Sequence, residues 1–420
     1  MKYPSHPMGD VMSTGARRTT PALVQRGEWS TVTDCKTVLA VMHTLPYAHR
    51  LKHIIALLRS DLRVNVVFTV APHAFGAGVP EHLRDEGITV VPWKDAVRTE
   101  FDLALAAGSQ GIDQIRAPLI RMSHGAGHIK LLRRVRDGEP RTPGLLSRRN
   151  LVRAGRVVPA AVALSHERYL DVLADSCPEA LPVAAVVGDP CHDRIVAGLP
   201  RRDAYRRAFG LDEGQRLVTV TSTWGPSSAF GRLDALLPRL LGELPADRYR
   251  TAVLVHPNVW AGHGGWQVRG WLAECRRRGV TLIPPDADWE SWLLGSDGII
   301  GDHGSGTAYG SLTGVPILMA RHPGRDIASD SPAAALAALA PALSPAHPLP
   351  DQLRYAAERY RYEDYRRVGS LLTSEPGRFN ELMRSLMYRL LGLGEPAFAP
   401  DTDPAPLPPR LTAWGPGVCP

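Results

Sequence analysis

Residues 37–42 (Thr-Val-Leu-Ala-Val-Met) form a short apolar run rich in Val and Leu, which predicts a parallel strand buried on both faces. Over 47–59 the apolar residues Leu51, Ile54, Ile55 and Leu58 recur at helical spacing, and 64–70 is a second buried run. The series continues at 88–92, 103–106 and 118–122, with helix-like or loop segments between. Residues 157–164 predict a strand leading into a helix from Ser165, and 182–187 closes the set. Strands that alternate with helices predict a parallel sheet covered on both faces.

The alternation then restarts. Strands are expected at 217–221, 252–255, 280–283, 298–300 and 316–319, and helices at 201–209, 229–244, 266–278, 289–294 and 305–312. Two successive sheets of this kind predict an α/β protein with two Rossmann-like domains and a boundary near 189–200. A Pro/Ala-rich link is expected around 334–350, followed by helices over 351–393. The expected organisation is a flexible leader (1–34), a first Rossmann-like domain on the acceptor side (35–190) and a second, nucleotide-donor domain (191–350). C-terminal helices (351–395) and a Pro-rich, disordered or extended tail (396–420) follow. No repeat at a solenoid period interrupts this plan.

Composition narrows the class. The 420 residues suit two or three domains at about 100–200 residues each, and 44% hydrophobic with 22% charged residues is ordinary globular usage. No apolar run reaches the ~18 residues of a membrane span, and the polar first thirty residues contain no signal-peptide core. The five cysteines are scattered and form no CxxC pair, which argues against a disulfide framework or a zinc site and for a reducing cytoplasm. The net charge of +7 is concentrated. Between 116 and 156, eleven basic residues face only Asp137 and Glu139, so this stretch carries +9 and the remainder −2. A block of this kind suits phosphates or an anionic surface, and in isolation reads equally as a solvated loop.

Candidate chemistry sits at expected strand ends. The run Arg-Met-Ser-His-Gly-Ala-Gly-His-Ile-Lys at 121–130 follows a strand and turns on glycines, a placement that offers backbone N–H groups to an anion at the sheet's carboxyl edge. His124 has the side-chain chemistry of a general base, or caps the turn; Arg121, Gly125 and Lys130 are candidate phosphate or acceptor contacts. A second strand–turn–helix at 298–312 brings Asp302, Gly304, Ser305, Gly306 and Thr307 to a turn suited to a donor phosphate. Asp302 fits an N-cap-like role or a contact with a ligand's polar groups. His256 before Pro257 should project from a strand end toward the same cleft, and Thr221, Ser222 and Thr223 end another strand. Cys191, in the turn at 188–194, is a thiol without evident activation. The chain lacks HExxH, GxSxG and a P-loop, and Asp286 with Asp288 does not make a metal site, so no metal or cofactor is expected.

Taken in order, these pieces resemble the catalytic domain of the CDP-glycerol:poly(glycerophosphate) glycerophosphotransferases that build teichoic acids. The family's His-Gly-Thr-Pro-type turn and later Lys correspond to His124-Gly125-Ala126-Gly127 and Lys130. Its Gly-x-Pro-x-x-Asp turn corresponds to Gly188-Asp189-Pro190-Cys191-His192-Asp193, its Ala-Pro-Thr strand end to Thr221-Ser222-Thr223, and its His-Pro to His256-Pro257. Its Thr-Asp-Tyr-Ser-Ser turn and Lys-Pro-Ile strand align with Gly301-Asp302-His303-Gly304-Ser305 and Val315-Pro316-Ile317. The match covers roughly 157–318 plus the His124 turn. Four departures stand out: Gly301-Asp302-His303 for Thr-Asp-Tyr, Gly304 for the first Ser, Ala126-Gly127 for Thr-Pro, and Met122-Ser123 where a Trp usually precedes the His-Gly turn.

The resemblance implies a GT-B fold, with two Rossmann-like domains facing a cleft. It implies that His124 removes the acceptor's proton while His256, Ser305 and neighbouring N–H groups hold the donor's pyrophosphate. The implied function is transfer of a phospho-polyol or glycosyl group from a CDP- or UDP-linked donor to a hydroxyl acceptor, an anionic polymer or a lipid-linked molecule. CDP-glycerol, CDP-ribitol and nucleotide sugars all remain open as donors. The arginines from 133 to 156 would meet an anionic acceptor or the inner face of the membrane, peripheral to a cytoplasmic enzyme. Nucleic acid is not expected, because no binding module surrounds the block. Two rivals stand beside this reading: a UDP-N-acetylglucosamine 2-epimerase-like enzyme, which needs acidic catalytic residues in the cleft, and a noncatalytic protein of the same fold that binds nucleotides or anions.

Overall fold

The computed structural model describes residues 32, 34–131, 144–322 and 324–411. Most of the expected leader, Arg133, Arg134, Arg136 and Arg141 of the basic block, and the last nine residues of the tail lie outside the described residues.

The first lobe is built on β1 (Lys36–Met42), β2 (Val64–Val70), β3 (Val90–Val91), β4 (Leu103–Ala106) and β5 (Leu119–Met122). After a small antiparallel hairpin, β6 (Val152–Arg153) and β7 (Arg156–Val157), the lobe is completed by β8 (Ala161–Leu164) and β9 (Ala184–Val186). The seven-stranded order is β3-β2-β1-β4-β5-β8-β9, and every pairing is parallel. The second lobe has β10 (Arg216–Ser222), β11 (Tyr249–Val255), β12 (Thr281–Ile283), β13 (Gly298–Gly301) and β14 (Ile317–Met319), in the parallel order β12-β11-β10-β13-β14. Both orders run outward from the first strand and then back past it, which leaves a crevice at the carboxyl ends where the direction reverses. This is the α/β, GT-B-like architecture of two Rossmann-like lobes across a cleft.

Period-two alternation inside each buried strand supplies two cores per sheet. In β1, Val38, Ala40 and Met42 face the Leu45–Ile55 helix, while Leu39 and Val41 face Val67, Phe101 and Ile112 on the opposite side. In β10, Val218 and Val220 pack with Leu236, Leu240 and Val253, while Leu217 meets Phe209 and Trp292.

The last helix, Phe379–Leu391, is where the chain departs most from its linear plan. It returns to the first lobe, and Phe379, Met383, Leu386, Met387 and Leu391 join Val38, Leu51 and Ile54 in one buried cluster. Each such side chain contributes about 1.5–3 kcal/mol by leaving water, so the crossing ties the C-terminus firmly to the opposite lobe. Asp193 fixes its start, accepting from Gly377 N at 2.8 Å and Phe379 N at 3.0 Å.

One further element differs from expectation, and the tail, extended as expected, is packed down. The Pro/Ala-rich link begins as a helix, Pro332–Leu339: Ser331 Oγ caps Ala334 N at 3.2 Å, Pro332 suits the first helical position, and alanine has the highest helix propensity. The tail up to residue 411 has almost no regular secondary structure yet is not loose, since Tyr205 Oη donates to the carbonyl of the fully buried Ala405 and Arg194 donates to Asp403 O. Among the described residues no helix is long and apolar enough to cross a membrane.

Candidate active site

The crevice between the sheets holds a cavity of about 410 Å³. His124, Gly125, Lys130, Thr221, Ser222, Thr223, His256, Asp302, Gly304, Ser305, Gly306 and Thr307 all line it. Arg121 does not. It is 1% exposed, and its guanidinium donates to Gly108 O, Leu145 O and Ser109 Oγ. An arginine three residues before His124 lies within β5, so its side chain enters the body of the lobe rather than the cleft; it buttresses the turn instead of meeting a ligand.

The parallel sheets explain why residues far apart in sequence converge. His124 follows β5 by two residues, and Thr223, His256 and Asp302 directly follow β10, β11 and β13, so each strand end delivers its residue to the same carboxyl edge. Glycine then permits close approach between lobes. A Cβ on Gly125 would lie 2.5 Å from Ser305 Oγ, and the same hydroxyl accepts from Ala126 N at 3.2 Å. Gly127 has φ +68°, and a Cβ there would collide with the Tyr169 hydroxyl. Beyond the turn, Ala328 N donates to Ile129 O at 2.9 Å and Leu131 N to Asp326 O at 3.1 Å, a β-like tether across the lobes.

His124 is half-buried against Tyr47, with ring centroids 4.4 Å apart. Its Nδ1 has no hydrogen-bond partner. Burial lowers its pKa to about 3, and the cations Arg50, Lys130 and Arg121 push the same way. The ring is therefore neutral at physiological pH, in a positive surrounding that favours an anionic guest. His256 is neutral for the same first reason, with a pKa lowered to about 3. Its Nδ1 accepts from Asn258 N at 3.1 Å, which places the neutral ring's proton on Nε2 and makes that atom a donor. Lys130 carries its ammonium 4.6 Å above the Trp224 ring and 3.5 Å from Thr223 Oγ1.

The remaining polar groups divide into those committed to the protein and those open to a ligand. The Asp302 carboxylate accepts from Thr223 N, Ala229 N (2.7 Å) and Gly304 N (2.9 Å), and from Ser222 Oγ at 3.3 Å. It thus ties two loops together, while the Ser305–Gly310 helix has Gly304 at its N-cap with no side-chain cap bond. Burial raises the Asp302 pKa from the ordinary aspartate value, against the pull of those donors. Thr221 and Thr307 pair their hydroxyls at 2.7 Å, and Ser222 Oγ also receives Phe230 N at 2.8 Å. These hydroxyls shape the pocket floor. The first-turn N–H groups of the Ser305–Gly310 helix lack intrahelical acceptors by geometry.

Three residues that sequence reasoning did not single out complete the site. His303 is buried, its Nδ1 has no partner, and burial lowers its pKa to about 3. Arg50 and Tyr309 join Asp189 and Gly125 in a network that spans both lobes: Arg50 Nη2 donates to Gly125 O (3.0 Å), Asp189 Oδ2 (3.1 Å) and Tyr309 Oη (3.0 Å), while Tyr309 Oη donates to Asp189 Oδ2 at 2.8 Å.

No protein-family model matches the sequence, and a search of curated proteins finds no relative. Among solved structures the fold is shared with the wall teichoic acid polymerase TagF. A TagF variant soaked with CDPG superposes with a TM-score of 0.59 at 12% identity, over 85% of this chain and 88% of that one. Another TagF structure gives 0.57 at 14% identity, over 85% and 89%. At this identity the likeness establishes the shared fold.

Proposed function

We propose that this chain is a transferase that moves a phospho-polyol or glycosyl group from a nucleotide-diphosphate donor to a hydroxyl acceptor. The observation that carries the reading is the convergence, in one positive cleft, of a neutral histidine whose Nδ1 the protein leaves unpartnered (His124), a neutral histidine donor (His256) and the Lys130 ammonium. The fold shared with TagF, one of whose structures was soaked with CDPG, supports a CDP-linked donor.

In the proposed reaction His124 takes the proton of the acceptor hydroxyl as its oxygen attacks. For a phospho-polyol donor the new bond forms at the β-phosphorus, the bridging P–O bond breaks, and a nucleoside monophosphate leaves. For a glycosyl donor the bond forms at the anomeric carbon and a nucleoside diphosphate leaves. His256 Nε2–H and Lys130 would stabilise the charge that develops on phosphate oxygens, a role that preorganised donors fill best away from water.

A thermal-shift panel tests binding first. A CDP- or UDP-linked donor at ~100 times its Kd should stabilise the fold by about 2.7 kcal/mol, with a matching rise in Tm, and should then be turned over when a hydroxyl acceptor is added. If no nucleotide raises Tm, the reading fails. Binding without hydrolysis or transfer would favour a noncatalytic nucleotide-binding protein.

The described part of the basic block supports an anionic surface as second partner. Arg149, Arg153 and Arg156 are exposed on and beside the β6–β7 hairpin, and Arg148 is held by Glu179 at 2.6 Å. Each basic residue near an anionic membrane is worth about 1 kcal/mol, so the triple change of these three arginines to glutamate should abolish co-sedimentation with phosphatidylserine-containing vesicles. Equal binding of wild type to neutral vesicles, or binding insensitive to salt, would exclude this contact.

A further inference from the structure

Beside the cleft, three side chains from three separate helices meet. His53 comes from Leu45–Ile55 of the first lobe, Cys191 from Pro190–Gly198 between the lobes, and Glu290 from Trp289–Gly295 of the second. One donor atom of each lies within 4.8 Å of the others, and this is the one such trio of His, Cys, Asp or Glu among the described residues. The proposed transfer uses none of them.

Glu290 is the informative member. It is 1% exposed, its Oε2 accepts from Arg194 Nε at 2.8 Å, and its Oε1 is buried without a hydrogen-bond partner. That oxygen points at His53 Nε2 across 3.7 Å, too far for a hydrogen bond. An unsatisfied buried acceptor costs of order 1–3 kcal/mol, so this oxygen is suited to gain a partner from the neighbouring Cys191 thiol or from a bound ion.

We propose that His53, Cys191 and Glu290 bind a zinc ion, with a fourth coordination position facing the cleft. Bond lengths of about 2.0–2.3 Å at tetrahedral angles separate ligand atoms by roughly 3.3–3.8 Å. The His53–Glu290 pair, at 3.7 Å, is within a few tenths of an ångström of the spacing for a nitrogen and an oxygen, and an adjustment of about 1 Å brings the outer limit of 4.8 Å into range. A set of one thiolate, one imidazole and one carboxylate suits zinc better than the hard cations that prefer oxygen alone. Charge also balances. Zinc and Arg194 bring three positive charges, while Glu290, Asp288 and the Cys191 thiolate bring three negative ones, the thiol proton and any proton on the Glu290 carboxyl passing to solvent. Arg194, bound to Asp288 at 3.3 Å as well as to Glu290, is then the outer partner that orients the carboxylate. His53 and Cys191 both line the cleft, so the fourth position is open to water or to an oxygen of a bound ligand. No spacing motif announces the site, because its ligands stand about a hundred residues or more apart in sequence, from His53 to Cys191 and again across to Glu290 in the other lobe.

Cobalt substitution reads this site without any activity assay. Titration of the full chain with Co²⁺ should give a thiolate-to-cobalt charge-transfer band and tetrahedral d–d bands that saturate at one equivalent and are bleached by one equivalent of Zn²⁺. Cys191→Ser should lose the charge-transfer band. Glu290→Gln should weaken Zn²⁺ at least ~10-fold, since changing even an outer partner typically costs 10–100-fold. Cys35→Ser and Cys275→Ser should leave the bands unchanged. A folded wild-type protein without the band at one equivalent overturns the proposal, as does a band that survives in folded Cys191→Ser. Should Cys191→Ser fail to fold, the wild-type titration and the Glu290→Gln affinity decide by themselves. None of these outcomes bears on the transferase reading.

Discussion

His124→Ala is expected to lower kcat by about 10²–10⁴-fold while nucleotide-induced stabilisation persists, because a positioned general base contributes that much and, in the proposed reaction, His256 and Lys130 would still hold phosphate. The pH profile gives the sharper test. In the ligand-free protein, burial and the cations Arg50, Lys130 and Arg121 lower the His124 pKa to about 3. A bound diphosphate places negative charge among those cations and raises the pKa back toward the ordinary value of about 6.5. The base works unprotonated, so activity falls as pH drops through this pKa. The acid limb of kcat/KM, which reports the free enzyme, should therefore lie at lower pH than the limb of kcat, which reports the complex. Coincident limbs would mean that the donor does not bind beside His124. Undiminished turnover in His124→Ala would remove it from the chemistry altogether.

Much of this arrangement is legible in the sequence because parallel strands announce themselves. Runs such as 37–42 and 217–221 are apolar on both faces, and in an open parallel sheet the residue after each strand must fall at the ligand-bearing edge. That reasoning reaches His124, His256 and the turn from Asp302 to Thr307 without coordinates. It places Arg121 wrongly because adjacency in sequence is not adjacency in the cleft: one residue inside the strand end, a side chain belongs to the lobe. Arg50 was open to detection. It lies four residues before Ile54 and one before Leu51 on the buried stripe of its helix, where a lone charge demands a partner. The partner was beyond reach, since Asp189 is 139 residues away and Tyr309 lies in the other lobe. The return of the Phe379–Leu391 helix to the first lobe is hidden for a similar reason. Its amphipathic pattern says that one face is buried, and nothing in that pattern says against which lobe.

The Arg50–Asp189 pair is the second place where a single change should have a large effect. Arg50 is 4% exposed and Asp189 is 1% exposed, so solvent screens neither. Removing one member of such a pair typically costs about 3–5 kcal/mol, most of it from the charge left buried without a partner. Arg50→Met should therefore lose stability in that range by chemical denaturation, with a corresponding fall in Tm. Asp189→Asn should lose comparably, and it also alters the cap that accepts His192 N at 2.9 Å. Tyr309→Phe removes one hydroxyl from the network and should cost only about 0.5–1.5 kcal/mol. The double variant Arg50→Met/Asp189→Asn separates pair from parts. With no unpaired charge remaining, it should recover much of the loss, giving a large coupling energy in the cycle. Catalysis should not recover with it. Arg50 also holds Gly125 O at 3.0 Å, and Gly125 adjoins His124, so kcat should stay low in the double variant although its stability returns. Additive losses in the cycle would mean that Arg50 and Asp189 do not stabilise the fold as a pair. Restored kcat would mean that Arg50 serves stability alone.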